Sequence, residues 1–520
     1  MLTFDIYQDG KRRKDIDLAG AYVFGQESIP VRADLVAADG QIVCSKRASG
    51  ACGLAIQWSA GSAGRFLLST TRLPDRAKPY NLAVELARAQ MTRLAQKREE
   101  WGLFDYSEAA VLGREFDAVL LRFVAALKAA RPEKAAALAQ EALERGIILG
   151  EKIALFHADA FLDRRRGLPP ASRGAFGCTA DLLSHTEPYQ ARMREGFDFL
   201  GIPIPWKYIE PKERAHQFTQ VDAWMNWAAR SQKAVHAGPL VSFDPAELPE
   251  WLYIWEHDYE ALRDLIYEHI QRLVQRYEKQ VRLWRVVSGI NAYNNFELGF
   301  EQLMELTRMS CLLVKKMVPR STVVIDLMHP WGEYYARNPR TIPPLLYADM
   351  AVQSGIKFDA FGIQICMGVP ADGLFVRDLM QISALLDEFV ALGKPVHITA
   401  CQAPSDVAPD AWDAWGGRAD VAQAGQWHNP WNPRLQAEWL QAFLRVALSK
   451  PFVESICWRD LADYEGHYVP HGGLCRSNME PKLAYKELRN FRAALLAPAP
   501  PPIPPADRKP PDAGENPRPV

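Results

Sequence analysis

The chain lacks most of the features that would assign it a chemistry at a glance. Its eight cysteines (44, 52, 178, 311, 366, 401, 457 and 475) are scattered, with no C-x-x-C pair and no histidine at metal-ligand spacing, so neither a zinc site nor a disulfide scaffold is indicated. Buried, reduced thiols are the expectation, and no metal or other cofactor is implied. Charge of one sign is absent as well: 61 basic side chains face 62 acidic ones over 520 residues. That balance excludes a polybasic nucleic-acid binder and leaves no field for steering anions. No apolar run approaches the ~20 residues of a membrane span, so no membrane partner is expected. The charged start, Met1-Leu2-Thr3-Phe4-Asp5, holds no signal-peptide core, and a cytoplasmic location follows as the default expectation.

Aromatic residues, by contrast, are abundant. All but Trp58 and Trp101 of the 15 tryptophans lie between Trp206 and Trp458. Residues 1–80 alternate in short runs (Leu2 to Tyr7, Val31 to Val36, Ile42 to Cys44) around a turn at Asp39-Gly40, which predicts a small β-sandwich-like domain. Residues 81–170 change period. Leu82, Leu86, Met91 and Leu94, then Leu120, Leu121, Phe123 and Leu127, fit amphipathic helices of a connector.

From 171 to 496 short apolar runs alternate with helical ones. The runs are Phe176 to Ala180, Phe199 to Pro205, Val235 to Ser242, Leu283 to Ser288, Thr322 to Leu327, Ala360 to Cys366, Pro395 to Cys401 and Val453 to Arg459. Eight strand and helix units predict an α/β fold, a (β/α)8 TIM barrel. The rival is an open doubly wound sheet, but no G-x-G-x-x-G follows any strand. Residues 497–520 are proline-rich with little to bury, and disorder or polyproline structure is expected there.

Several runs, in order, resemble glycoside hydrolase family 10, the retaining endo-β-1,4-xylanases, over roughly residues 174 to 492. Phe176-Gly177 resembles the first strand. Trp206 with Ile209-Glu210-Pro211 is similar to K-W-x-x-x-E-P, and Leu240-Val241 with Pro249-x-Trp251 to G-H-T-L-V-W-H and P-x-W. Trp284-Arg285-Val286-Val287 resembles W-D-V-V-N-E, Gly362-Ile363-Gln364 resembles G-x-Q-x-H, and Ile398-Thr399 resembles I-T-E. Trp458 and Asp463 resemble W-G-x-x-D, with the Asp one residue later than in that pattern, and Pro481-Lys482-Leu483-Ala484-Tyr485 matches P-K-P-A-Y. The resemblance implies a barrel and a neutral, xylan-like oligosaccharide or polysaccharide as partner.

The departures fall on the chemistry. The resemblance places the acid/base glutamate at Gly289 and the nucleophile at Ala400. Retaining hydrolysis needs two carboxyls about 5 to 5.5 Å apart, and neither residue carries one. Pro205, Gly238, Ser242, Phe243, Cys366 and His467 replace further family residues around the sugar. Candidate substitute acids at strand ends are Asp326 and Glu333, with loop hydrogen bonding as their bland alternative. Candidate sugar contacts are Trp206, Gln364, Trp458, Trp331, and Trp427 and Trp431 in a long loop after strand seven that also holds Trp412 and Trp415, although these tryptophans could equally pack the loop. If Ala400 points into the barrel, alternation sends His397, Thr399 and Cys401 outward, unless a bulge intervenes. Three functions follow: a catalytically impaired, saccharide-binding relative of the xylanases; a hydrolase with relocated carboxylates; and an interaction scaffold.

Overall fold

Eight parallel strands close on themselves in the computed structural model, which describes residues 1–8, 11–14, 16–169 and 174–497. The expected disorder of the proline-rich tail lies outside those residues, apart from Ala497. In chain order the barrel strands are β1 (Ala175–Thr179), β2 (Phe199–Ile202), β3 (Ala234–Ala237, resuming at Val241–Ser242), β4 (Val281–Ser288), β5 (Thr322–Leu327), β6 (Ala360–Cys366), β7 (Val396–Gln402) and β8 (Val453–Trp458). Each pairs with the next, and β8 pairs with β1 from Ala175↔Ser455 to Cys178↔Trp458, so no edge is left. The doubly wound alternative is thereby excluded.

Every residue of β6 and β7 is buried. That is why their sequences read as apolar runs without alternation: inner faces fill the barrel and outer faces meet helices. The helix Pro433–Ser449, which leads from the strand-seven loop to β8, starts where its sequence says it should. Pro433 occupies the first turn and the Asn432 side chain accepts from the amides of Arg434 and Leu435 at 3.1 and 3.0 Å. No helix among the described residues is long and apolar enough to cross a membrane.

The N-terminal strands form two sheets. One runs Tyr80–Asn81, Leu2–Asp5, Gln41–Lys46, Ala33–Ala38, and its hairpin turns on Asp39 and Gly40 at φ 51° and 75°, the doubly left-handed turn that Asp-Gly favours. The second runs Gly64–Ser69, Gly53–Ser59, Tyr22–Phe24, Pro30–Val31, and its outer neighbour is Gln426–Trp427, a piece of the strand-seven loop. The barrel thus lends the N-terminal sheet a strand, covering an edge that would otherwise stand open.

Three helices follow, Leu82–Glu100, Ala110–Lys128 and Pro132–Arg166. Leu82, Leu86, Met91 and Leu94 are buried as their spacing implies. The expected face of the second helix is corrected: Leu120, Leu121 and Leu127 are exposed, and Phe116, Val119, Phe123 and Ala126 turn inward. Consecutive Leu120 and Leu121 sit about 100° apart on a helix, so both cannot share the face of Phe123.

The long third helix clamps the loop strand. Glu151 accepts from the Trp427 indole at 2.6 Å and lies 3.0 Å from His428 Nε2. Burial opposes charge on His428, but the hydrogen bond and attraction of Glu151 outweigh it and raise the imidazole pKa above its ordinary value. A raised histidine contributes stability that is complete below the unfolded pKa near 6.5 and is lost as pH climbs through the folded value. Between pH 6 and pH 8.5, wild type is expected to lose more stability than His428→Gln in urea titrations; parallel losses would disprove the clamp's charge.

Candidate active-site mouth

At the C-terminal end of β4, the chain turns at Gly289 with φ +61°. A Cβ there would stand 2.7 Å from Met328 Sδ and 3.3 Å from Met328 Cβ. The position expected to carry an acid/base is therefore left-handed and already occupied. Ala400, 2% exposed, belongs to an apolar cluster with Cys366, Val369, Leu374, Ala419 and Val469.

The strand pairing slips between Ile398 and Cys401, and this irregularity corrects the expected alternation. His397 and Thr399 face the barrel interior, beside Arg285, His236 and Cys457 around a cavity of about 10 Å³. His397 Nδ1 meets Ser455 Oγ at 2.7 Å, and burial lowers its pKa to about 4, so it sits there neutral. Cys401 Sγ donates to Cys457 O at 3.4 Å, and burial raises its pKa. All eight cysteines are free and buried.

Asp326, 1% exposed, is the hub of the interior. It accepts from Ser288 Oγ at 2.6 Å, Gln364 Nε2 at 2.7 Å and the Thr399 hydroxyl, with Arg285 Nη1 at 3.8 Å. Four strands are stitched together by one carboxylate that accepts three hydrogen bonds, which suits holding a barrel more than attacking a sugar. Glu333 is engaged elsewhere. It pairs with Arg377 at 2.5 Å, both buried, and Arg377 Nη1 also donates to Leu67 O of the N-terminal sheet at 2.8 Å.

Burial relocates most of the expected sugar contacts. Trp206 (4% exposed) stacks on His269 and donates to Glu210; Trp458 (1%) donates to Gly472 O; Trp427 (6%) is held by Glu151; Trp431 is 2% exposed. These four rings pack the molecule and present no free face. Trp331 lies under the Arg377 guanidinium, 4.7 Å from ring centroid. Of the strand-seven loop's tryptophans, Trp412 is 60% exposed, whereas Trp415 donates to Tyr468 O at 2.9 Å.

What fills the mouth is a set centred on Arg459. Arg459 follows β8, with its guanidinium 3.8 Å above the Tyr468 ring and Nη1 3.4 Å from Gln364 Oε1. Around it stand His329, whose Nε2 meets Tyr293 hydroxyl at 2.8 Å, and Cys366, bordering a second cavity of about 10 Å³. Burial, with Arg459's charge, lowers the His329 pKa to about 4. Glu247, after β3, has a buried Oε2 without a partner, and burial raises its pKa against the opposing hydrogen bond from Ser242. A signal for the arginines did exist: Arg285 and Arg459 follow Trp284 and Trp458 where the quoted family patterns have Asp and Gly.

Fold and mouth together define a closed (β/α)8 barrel. Residues 174–305 match the model of glycosyl hydrolase family 10. Over 233 residues the chain is 24% identical to endo-beta-1,4-xylanase Xyn10C of Cellvibrio japonicus, covering 42% of this chain and 37% of that protein. It is 26% identical over 108 residues to endo-1,4-beta-xylanase B of Thermotoga neapolitana, covering 20% and 31%. The chain thus spans about a third of the length of these curated relatives. Among solved structures, native xylanase 10B from Thermotoga maritima superposes with a TM-score of 0.47 at 19% identity, over 64% of this chain and 98% of that one.

Proposed function

We propose that this protein is a family 10-like pseudoglycosidase, which binds a saccharide at the barrel mouth without cleaving it. One observation carries the reading: the space of both catalytic carboxyls is taken, by Met328 beside Gly289 and by an apolar cluster around Ala400. The relocated-carboxylate alternative has less support, because Glu333 is consumed by Arg377 and Asp326 by its three donors. Saccharide binding is supported by likeness to proteins named as xylanases and by polar groups that remain around the mouth, Gln364, Glu247 and Arg459, with Trp412 exposed on the strand-seven loop. The mouth cavity of about 10 Å³ admits one water-sized group, far below the ~300 Å³ or more of an enclosing ligand pocket, so a sugar would lie across the rim.

The test is calorimetric titration with xylo-oligosaccharides and other β-linked oligosaccharides, with product analysis on the same samples. Saturable heat and an unchanged oligosaccharide ladder are expected. New short products would refute the pseudoenzyme, and no heat with any glycan would refute saccharide binding.

A further inference from the structure

The cations of the barrel are not equally compensated. Arg285 has Asp326 at 3.8 Å and Arg377 has Glu333 at 2.5 Å. Arg459 has no carboxylate within 4.0 Å among the described residues. Its sequence neighbour Asp460 is turned away, accepting from Tyr464 hydroxyl at 2.5 Å and from the Tyr468 amide at 2.9 Å. Glu247, another acid whose charge reaches Arg459 and helps to hold it protonated, keeps one carboxyl oxygen without a partner and makes no ion pair with the guanidinium. The guanidinium therefore rests on the Tyr468 ring and on one long hydrogen bond to Gln364.

A largely desolvated guanidinium normally gains a carboxylate or phosphate to offset the water it gives up, and its planar fork matches a carboxylate edge. Beside Arg459 lies the mouth cavity lined by His329, Gln364, Cys366 and Tyr468, with room for one water-sized group. Arg459 is partly exposed, so part of its side chain stays open to solvent.

We propose that the mouth selects a carboxylate-bearing saccharide, a uronate, whose carboxylate supplies the missing partner of Arg459. This rests on the reading of the mouth as a saccharide site and narrows the ligand from a neutral glycan to an acidic one.

The experiment titrates the full chain, and its Arg459→Gln and Arg459→Lys variants, with D-glucuronate, D-galacturonate, neutral xylotetraose, D-xylose, sodium acetate and inorganic phosphate at matched ionic strength. A uronate is expected to bind the wild type, on the order of tenfold more weakly to Arg459→Gln, with partial retention in Arg459→Lys. Thermal melting separates this role from packing. Removing an uncompensated charge is expected to leave Arg459→Gln melting no lower than wild type, whereas a structural role would lower it. Uronate binding that survives in Arg459→Gln overturns the proposal, as does acetate or phosphate binding as tight as that of the uronates. Xylotetraose binding without a uronate response also overturns it while leaving the saccharide reading intact. Silence toward every saccharide overturns both.

Discussion

Returning both carboxyls, as Gly289→Glu with Ala400→Glu, is expected to yield a less stable protein that still releases no sugar from xylan. At 289 the cost begins with the backbone. Any side chain held at φ +61° pays about 1 to 2 kcal/mol, and its Cβ must displace Met328, which is 5% exposed and cannot swing into solvent. At 400 a new carboxylate enters a cluster of Cys366, Val369, Leu374 and Val469, among which the Cys366 thiol is the one, weak, donor. It would either force water in or be held protonated, and a protonated acid is no nucleophile. Together the two changes should cost about 3 kcal/mol or more in urea unfolding. Reducing-sugar release by the double variant above the wild-type background would show instead that the mouth can still be re-armed by two residues.

Arg377→Leu is expected to cost about 3 to 5 kcal/mol, the usual penalty for stranding one partner of a buried ion pair. The side chain of Glu333 is fully buried, its Oε2 already lacks a partner, and Arg377 is its ion-pair partner. The same substitution removes the bond to Leu67 O, through which the loop after β6 grips the N-terminal sheet. Glu333→Leu with Arg377→Leu should recover much of the loss, since two apolar groups of similar volume leave no unpaired charge. Chemical denaturation of the three proteins decides it. A single variant within about 1 kcal/mol of wild type would mean that the pair is solvated on folding and holds nothing.

The position of Glu333 explains why strand-end carboxylates are poor guides to chemistry. From sequence, Asp326 and Glu333 look alike: acids seven residues apart at the mouth end of one strand. Their surroundings come from β4, β6, β7 and the loop after β6, and these differ completely. One carboxylate is the acceptor at the centre of the barrel, and the other is the counter-ion of an interdomain arginine. The tryptophans give the same lesson. Trp427 sits in a loop whose composition suits sugar stacking, yet its indole N–H meets Glu151, 276 positions away, and its backbone pairs with Gly64. A buried Trp N–H needs a partner, and the partner lies on a helix that no local pattern connects with that loop.

The sequence by itself determined the eightfold strand and helix rhythm, the Asp39-Gly40 hairpin and the absence of a carboxyl at Gly289 and Ala400. These depend on short-range periodicity, turn chemistry and the plain identity of a residue, all of which are written locally. Only the tertiary structure decided which aromatic faces stay free, that a slip in β7 turns Thr399 inward onto Asp326, and that Arg459 has no carboxylate within 4.0 Å among the described residues. Burial and charge pairing are properties of neighbours brought together from distant parts of the chain. Trp206, Trp427, Trp431 and Trp458, which drew attention in the sequence, therefore end as packing, while an arginine that did not stand out rests on the Tyr468 ring at the mouth.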